Sequence, residues 1–203
     1  MHDEALTKSA AELFPHLSRF AGFYLAGGTA LALQMGHRRS VDFDLFSPEP
    51  LPPRLLPLIK RVTVRSLSVT YSSPEQLNVL AGDVKMTFLS FPYPVIDACV
   101  VYTGVPLASI REIAAMKAFS IGKRLSYKDY IDWYFMLKEK RITLAKTIAH
   151  AQKKFGDDFN DRLFVSQLVS LADVPTQAID FLRDAVGKTD IEAFLKQAVE
   201  RMV

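Results

Sequence analysis

The sequence predicts an α+β protein: a mixed sheet with flanking helices, followed by a C-terminal helical bundle. Three observations carry this. The pair Gly27-Gly28 separates a short apolar run from a helical pattern. Between Val62 and about Val101, short apolar runs alternate with turn signals, as strands do. Beyond Pro106 the pattern is helical to the end of the chain.

In chain order, residues 4–19 put Leu6, Ala10, Leu13, Phe14 and Leu17 near one helical face, with Pro15 set to end or kink it. Phe23-Tyr24-Leu25-Ala26 reads as a strand ending at the glycines, and Ala30 to Met35 as the start of a helix. Asp42-Phe43-Asp44-Leu45 reads as a second strand. The breaker Ser47-Pro48-Glu49-Pro50-Leu51-Pro52-Pro53 follows, then a short helix through Leu55, Leu58 and Ile59. Strands are expected at Val62 to Tyr71, at Leu77 to Leu80 and at Val84 to Leu89. Ser72-Ser73-Pro74 and Gly82-Asp83 supply the turns between them. Helices are expected over 108–124, 127–139, 143–155, 160–172, 175–186 and 189–202. Pro175 suits a first helical position, and Gly156 and Gly187 suit helix ends. The expected division is 1–105 for the α/β domain with its N-terminal helix and 106–203 for a helical domain that closes a cleft.

Composition excludes several classes. Hydrophobic residues make up 49% of the 203, enough for a real core. No apolar run approaches the roughly 20 residues of a membrane span. The start Met1-His2-Asp3-Glu4 is polar, unlike a secretory leader, and the lone Cys99 forms no internal disulfide. A cytoplasmic protein with no membrane partner is expected. Four histidines and one cysteine give no zinc spacing, and no Ser-His-Asp hydrolase pattern is present. The net charge is only +3, but eight basic residues face four acidic ones between Ser109 and Arg141. Such a cluster suits a triphosphate or an RNA backbone, and equally an ordinary solvated helix face.

The chemistry sits between Gly27 and Asp44. Twelve residues after Gly27-Gly28-Thr29 come Asp42-Phe43-Asp44. Glycines at a strand-to-helix turn let backbone N–H groups approach a phosphate, and the helix N-terminus adds a favourable dipole. Strand alternation points Asp42 and Asp44 one way and Phe43 and Leu45 the other. Two neighbouring carboxylates repel unless a divalent cation lies between them, and hard oxygens suit Mg2+. Further on, Lys117 interrupts the apolar stripe Ile110, Ile113, Ala114, Ile121 and Leu125, where an ammonium needs an anion or an aqueous cleft. Asp129 and Asp132 are three residues apart and so share one helix face.

These segments resemble a known family. Ala26 to Leu31, with His37 to Phe46, looks like the first motif of the AbiEii/AbiGii-type toxin nucleotidyltransferases, within the DNA polymerase β-like nucleotidyltransferase superfamily. Met116-Lys117-Ala118, Gly122-Lys123-Arg124 and Lys128 to Asp132 are similar to its downstream motifs. The resemblance implies a nucleotidyltransferase-type sheet, an NTP substrate held with Mg2+, and transfer of a nucleotidyl group. It implies metal ligation by Asp42 and Asp44 and phosphate contacts from Lys117 and from the turn Gly27, Gly28 and Thr29. Arg38 and Ser40 would take phosphate or structural roles, and Asp129 or Asp132 would complete the polar site, with Lys128, Asp129 and Asp132 expected on the wall that the helical region supplies. A toxin-like role with an RNA, tRNA or protein acceptor, and an antitoxin partner, follows from the same likeness. One departure stands out: the strand from Val84 to Leu89 carries Lys85 and Thr87 but no third acid. Two other readings remain open here: a toxin-type module that binds nucleotide or RNA without turnover, and a glycosyltransferase using Asp-x-Asp. The glycosyltransferase reading wants a larger sheet domain than residues 20–105 supply.

Overall fold

Thr7 starts the first helix, α1 (Lys8–Leu13), its hydroxyl accepting from the Ala10 N–H in the computed structural model, which describes residues 1–63, 66–121 and 126–202. Past Leu13, Pro15 offers no amide, and the chain tightens to 3-10 turns over Phe14–Arg19. The single helix expected over 4–19 is thus broken, while Leu6, Ala10, Leu13, Phe14 and Leu17 are all buried as the pattern requires.

Strand β1 (Tyr24–Ala26) is buried throughout and runs directly into α2 (Gly27–Met35). Strand β2 (Phe43–Ser47) alternates buried and half-buried residues, so one face meets the core and the other a cleft. Helix α3 (Leu55–Thr63) follows the proline-rich breaker. It includes Val62, expected on a strand, because Leu55, Ile59 and Val62 bury one helical face together. Val64, from the same expected strand, lies outside the described residues. Strands β3 (Leu67–Ser72), β4 (Gln76–Ala81) and β5 (Val84–Ser90) form an antiparallel meander. A last hairpin joins β6 (Val100–Tyr102) to β7 (Val105–Leu107) through Thr103 and Gly104, both at positive φ (46° and 80°). Among the described residues the sheet has seven strands, in the order β3-β4-β5-β2-β1-β7-β6. Pairing is parallel between β2 and β5 and between β1 and β7, and antiparallel elsewhere, so the sheet is mixed as expected. The division expected at 105/106 falls inside β7.

The helices after the sheet are α4 (Ile110–Ser120), α5 (Tyr127–Lys138), α6 (Leu144–Phe155), α7 (Asp161–Leu168) and α8 (Lys188–Glu200). Ser109, Thr143 and Asn160 cap α4, α6 and α7 through their side-chain oxygens. The helix expected over 175–186 does not form. That segment runs alongside residues 36–39 as a strap. The Arg39 N–H donates to the Asp180 carbonyl at 2.8 Å, and the Leu182 N–H to the His37 carbonyl at 3.2 Å. Arg183 donates to the Gly36 and Met35 carbonyls and pairs with Glu139. These tertiary partners satisfy the backbone that a helix would otherwise satisfy internally. One apolar cluster runs from Leu6 through Phe43, Phe88 and Trp133 to Leu195, so sheet and helices share a core.

Candidate active site

The open face of β2 and its neighbours is polar where it meets α4. Parallel register sets Asp44 beside Thr87, and antiparallel register sets Thr87 beside Asn78. One step along, Phe46, Leu89 and Gln76 form the next row. Helix α4 lies opposite and presents Ile113, Met116, Lys117, Phe119 and Ser120. The cavity between them, about 400 Å³, is also bordered by Gly27, Lys85 and Phe91. That volume falls within the usual range for a small-ligand site.

Gly27 is required at its position. Its φ is +67°, and a Cβ there would stand 2.6 Å from Asp44 Oδ2. The turn backbone and the Asp44 carboxylate therefore share one corner of the cavity. Gly28 is pressed from the other side, where a Cβ would meet Arg38 Nη2 at 2.6 Å and Ser40 Oγ at 3.3 Å. The Thr29 hydroxyl bonds Ser40 Oγ at 2.8 Å and donates to the Asp42 carbonyl, tying the start of α2 to the entry of β2.

Behind the cavity lies a buried ionic network. Lys117 Nζ donates to Asp129 Oδ1 at 2.6 Å and stands 2.7 Å from Asp132 Oδ2. Arg38 grips the same Asp132 with both arms, Nε to Oδ1 at 2.8 Å and Nη2 to Oδ2 at 3.0 Å. His37 Nε2 lies 2.7 Å from Asp132 Oδ1. Burial alone would raise the Asp132 carboxyl, but Arg38, Lys117 and His37 outweigh it and hold Asp132 well below the usual carboxylate range. Burial would likewise lower the Lys117 ammonium, yet Asp129 and Asp132 keep it above its ordinary value. Both groups are therefore charged at neutral pH. Among the described residues Arg38 and Lys117 offset Asp129 and Asp132, which is what makes this burial tolerable.

A second buried cluster fixes α4 from the far side. Glu112 accepts from the Ile96 and Asp97 amides and pairs with Lys154 at 3.0 Å and His150 at 3.1 Å. It pins the β5–β6 connection and α6 to the helix that carries Lys117.

Of the residues singled out by sequence, Gly27, Asp44 and Lys117 border the cavity. Asp42 sits half-buried one residue before β2 and is not among the cavity's lining, its carbonyl being held by Thr29. Gly28, Thr29, Arg38 and Ser40 form the layer that braces the turn. Asp129 and Asp132 are buried beneath Lys117, and Lys128 is half-buried at the start of α5. Lys123 and Arg124 lie outside the described residues. Sequence reasoning missed the floor made by Asn78 and Gln76. Their signal was only that β4 has polar residues alternating with Leu77 and Val79, which any half-exposed strand shows. It also missed the aromatic wall. Phe46 and Phe119 each pack against Phe91, with ring centroids 5.5 and 6.4 Å apart, and Phe119 stacks on Phe155 at 4.2 Å.

The donor set fits a hard divalent cation. Asp44 brings a carboxylate to the cavity, Asp42 lies two residues away, and Thr87 and Asn78 add neutral oxygens. Mg2+ typically takes one or two protein carboxylates and fills its remaining positions with water and phosphate oxygens. Among the described residues no group of three or more histidine, cysteine or acidic side chains converges.

A mixed sheet that brings a helix N-terminus and a strand carboxylate to one cleft is the frame of a nucleotidyltransferase, and this chain is one. It belongs to the family described as nucleotidyl transferase AbiEii toxin, type IV toxin–antitoxin system, whose model matches residues 11–201. An uncharacterized protein of Aquifex aeolicus (strain VF5) is 30% identical over 182 residues, covering 88% of this chain and 86% of that protein. Among solved structures, the fold resembles JHP933 of Helicobacter pylori, with a TM-score of 0.58 and 20% identity over 97% of this chain and 94% of that one. It also resembles MenT4, a nucleotidyltransferase toxin of Mycobacterium tuberculosis H37Rv, with a TM-score of 0.59 and 17% identity over 94% and 82% of the two chains. At those identities the likeness is one of fold.

Proposed function

We propose that the chain transfers NMP from an NTP to a hydroxyl of an RNA acceptor, the 3′ end of a tRNA being the first candidate, in the cleft between Asp44 and Lys117: the hydroxyl oxygen attacks the α-phosphate and pyrophosphate leaves. One observation supports this most: Gly27, Asp44 and Lys117, far apart in sequence, border a single cavity with an aromatic wall. The turn amides at Gly27 and Gly28 and the Lys117 ammonium receive the triphosphate. Phe46, Phe91 and Phe119 hold the base by stacking, a contact worth about 1–3 kcal/mol per base. Asp44 and Asp42 would hold Mg2+, which would supply charge neutralisation at the α-phosphate and a lower pKa for the attacking hydroxyl. Asp129 and Asp132 keep Lys117 protonated and aimed, and Arg38 fixes the turn to the same anchor. Thr87 stands where a third strand acid would lie, so acceptor activation falls to Asp44 and Asp42. The cytoplasm is the expected compartment, and no helix among the described residues is long and apolar enough to cross a membrane. An antitoxin protein would be the partner that restrains the activity.

The test is to incubate the protein with each α-labelled NTP, Mg2+ and either total RNA or RNA-free cell extract. Label on RNA, lost in Asp44→Asn, supports the reading. Label on protein alone would move the acceptor to a protein side chain. Magnesium-dependent NTP binding with no labelled product under any condition would instead make this a binding module without turnover.

A further inference from the structure

Charge is unevenly spread along this chain. Between Ser109 and Lys154 there are eleven basic residues against four acidic ones, whereas the whole chain carries only +3. The cavity described above uses Lys117 alone from that surplus. A second pocket collects much of the rest. It lies where α5 turns into α6 and is lined by Arg111, Lys140, Arg141, Lys146 and His150, together with the hydroxyls of Thr143 and Thr147. Its volume is about 180 Å³, and no acidic residue lines it. It shares no lining residue with the cleft. Arg111 stands six residues before Lys117 on α4, roughly 9 Å along the helix axis.

The backbone at this pocket is strained in a way packing does not require. Lys140 has φ +55°. The Lys140 N–H donates to the Leu137 carbonyl and the Arg141 N–H to the Met136 carbonyl, both at 3.0 Å. This is the Schellman ending of a helix, with Lys140 at the left-handed position that glycine normally fills. A lysine there is strained by its Cβ, and its side chain is exposed, so no buried contact compensates. What it provides is an ammonium at the rim of the pocket. Of the other basic groups, Arg111 is partly engaged by Asp97 at 2.7 Å, and His150 lies 3.1 Å from Glu112. Arg141 lies 3.8 Å from Glu139, a loose pair. Three carboxylates at the edge, two of them shared with Lys154 and Arg183, do not neutralise five basic groups around so small a space.

We propose that this pocket is a second phosphate-binding site, which takes a backbone phosphate of the acceptor RNA while its reactive end lies in the cleft. The proposal rests on the RNA-acceptor reading above. Small size, a ring of cations and hydroxyl donors suit a single phosphate group. A surplus of positive charge extending over the same helices suits a strand with more phosphates to follow. An acidic peptide would meet the same cations, but the floor offers only Ile142 for apolar side chains.

The experiment uses the full chain and two variants, Lys140→Gly and Arg141→Ala/Lys146→Ala. Thermal midpoint, binding of purified bulk tRNA over a salt series, NTP calorimetry and labelled-NMP transfer to tRNA are measured on each. Lys140→Gly should keep or raise the thermal midpoint, because glycine relieves the strain, while tRNA affinity falls about 3- to 10-fold. The double variant should lose more than about 10-fold, and its log–log salt slope should shrink by roughly one per cation removed. NTP affinity should be unchanged in both. Wild-type tRNA affinity and salt slope in both variants would overturn the site, and leave the RNA-acceptor reading standing if transfer persists. Failure of the wild-type chain to bind or label any RNA would overturn both. A second NTP per chain, lost in the double variant, would assign the pocket to a free nucleotide and overturn the proposal, as would loss of binding to an acidic antitoxin peptide with tRNA affinity intact.

Discussion

Replacing Asp132 by Asn should damage the fold, while replacing Asp44 by Asn should damage only the chemistry. Asp132 is fully buried and meets Arg38 through two hydrogen bonds, with Lys117 at 2.7 Å and His37 at 2.7 Å. Asn keeps the shape but removes the charge, leaving Arg38 and Lys117 with Asp129 as their one buried counter-charge among the described residues. Breaking a buried pair in this way costs about 3–5 kcal/mol. For a chain of this size that is a fall in thermal midpoint of roughly 6–20 °C. Asp44 lies half-buried on the cleft face, so Asp44→Asn should stay within about 1 kcal/mol of wild type. Its NMP transfer should drop 100-fold or more, about 2.7 kcal/mol of barrier. The assay pairs calorimetric melting with initial-rate transfer on both variants. The acid limb adds a check of sign. Because the folded Asp132 pKa is depressed, its stabilisation is present above the unfolded carboxylate value, about 3.9, and is lost as pH falls below that toward the folded value. Asp132→Asn should therefore lose stability less steeply below about pH 4 than wild type does. A wild-type melting point in Asp132→Asn, with transfer abolished, would refute the positioning role and put Asp132 among the groups that touch substrate.

Three further outcomes follow from the same geometry. Gly27→Ala places a methyl against Asp44 Oδ2 on a backbone at φ +67°, so about 1–2 kcal/mol of stability should go, as melting will show. Transfer should fall by on the order of 100-fold, because the displaced carboxylate moves with the turn. Arg38→Lys keeps the charge but not the two-armed grip, and leaves an Asp132 oxygen short of a donor; a loss of about 1–3 kcal/mol is expected on denaturant unfolding, with a raised KM for NTP. Glu112→Leu strands Lys154 in the interior and should cost about 3–5 kcal/mol by melting, while the folded fraction, titrated by calorimetry, keeps its NTP affinity.

Local rules made the cleft corner readable. Strand alternation around Phe43 and Leu45 gave the direction of Asp44, and the glycine pair marked the turn. A lysine inside an apolar stripe signalled a buried partner, and Asp129 and Asp132 were the acids at hand. What stayed hidden was non-local. Nothing in the order of residues says that Thr87 and Asn78 lie beside Asp44, because register between strands is set by the whole sheet. The role of Arg38 was open for the same reason: its partner Asp132 is 94 residues away. The strap over 175–186 was misread as a helix because a proline and spaced apolar residues suit a first turn. Its hydrogen bonds to residues 36–39 outcompeted that preference, and no sequence window contains both segments. The same limit applies to the pocket at α5–α6. Arg111, Lys140 and Arg141 were counted in the sequence, but their convergence with Lys146 and His150 depends on how α4 and α6 pack, and composition gives no reason to expect the left-handed backbone at Lys140.

The buried network makes the cleft between Asp44 and Lys117 conditional on the helices being docked. The Arg38 guanidinium lies against Gly28 and grips Asp132 with the same head group. Lys117 reaches the cavity while bound to Asp132 and Asp129. The turn and the cation proposed to receive the triphosphate are thus held by one side chain on α5. Neither can be set correctly before α5 packs. The strap adds a second condition, since Asp180 and Leu182 hold residues 37 and 39 on either side of Arg38. A ligand or protein that lifted the strap would loosen Arg38 first and the phosphate turn with it, with no contact to the substrate. Catalytic competence in this architecture is a property of the C-terminal packing as much as of the sheet that carries the acids.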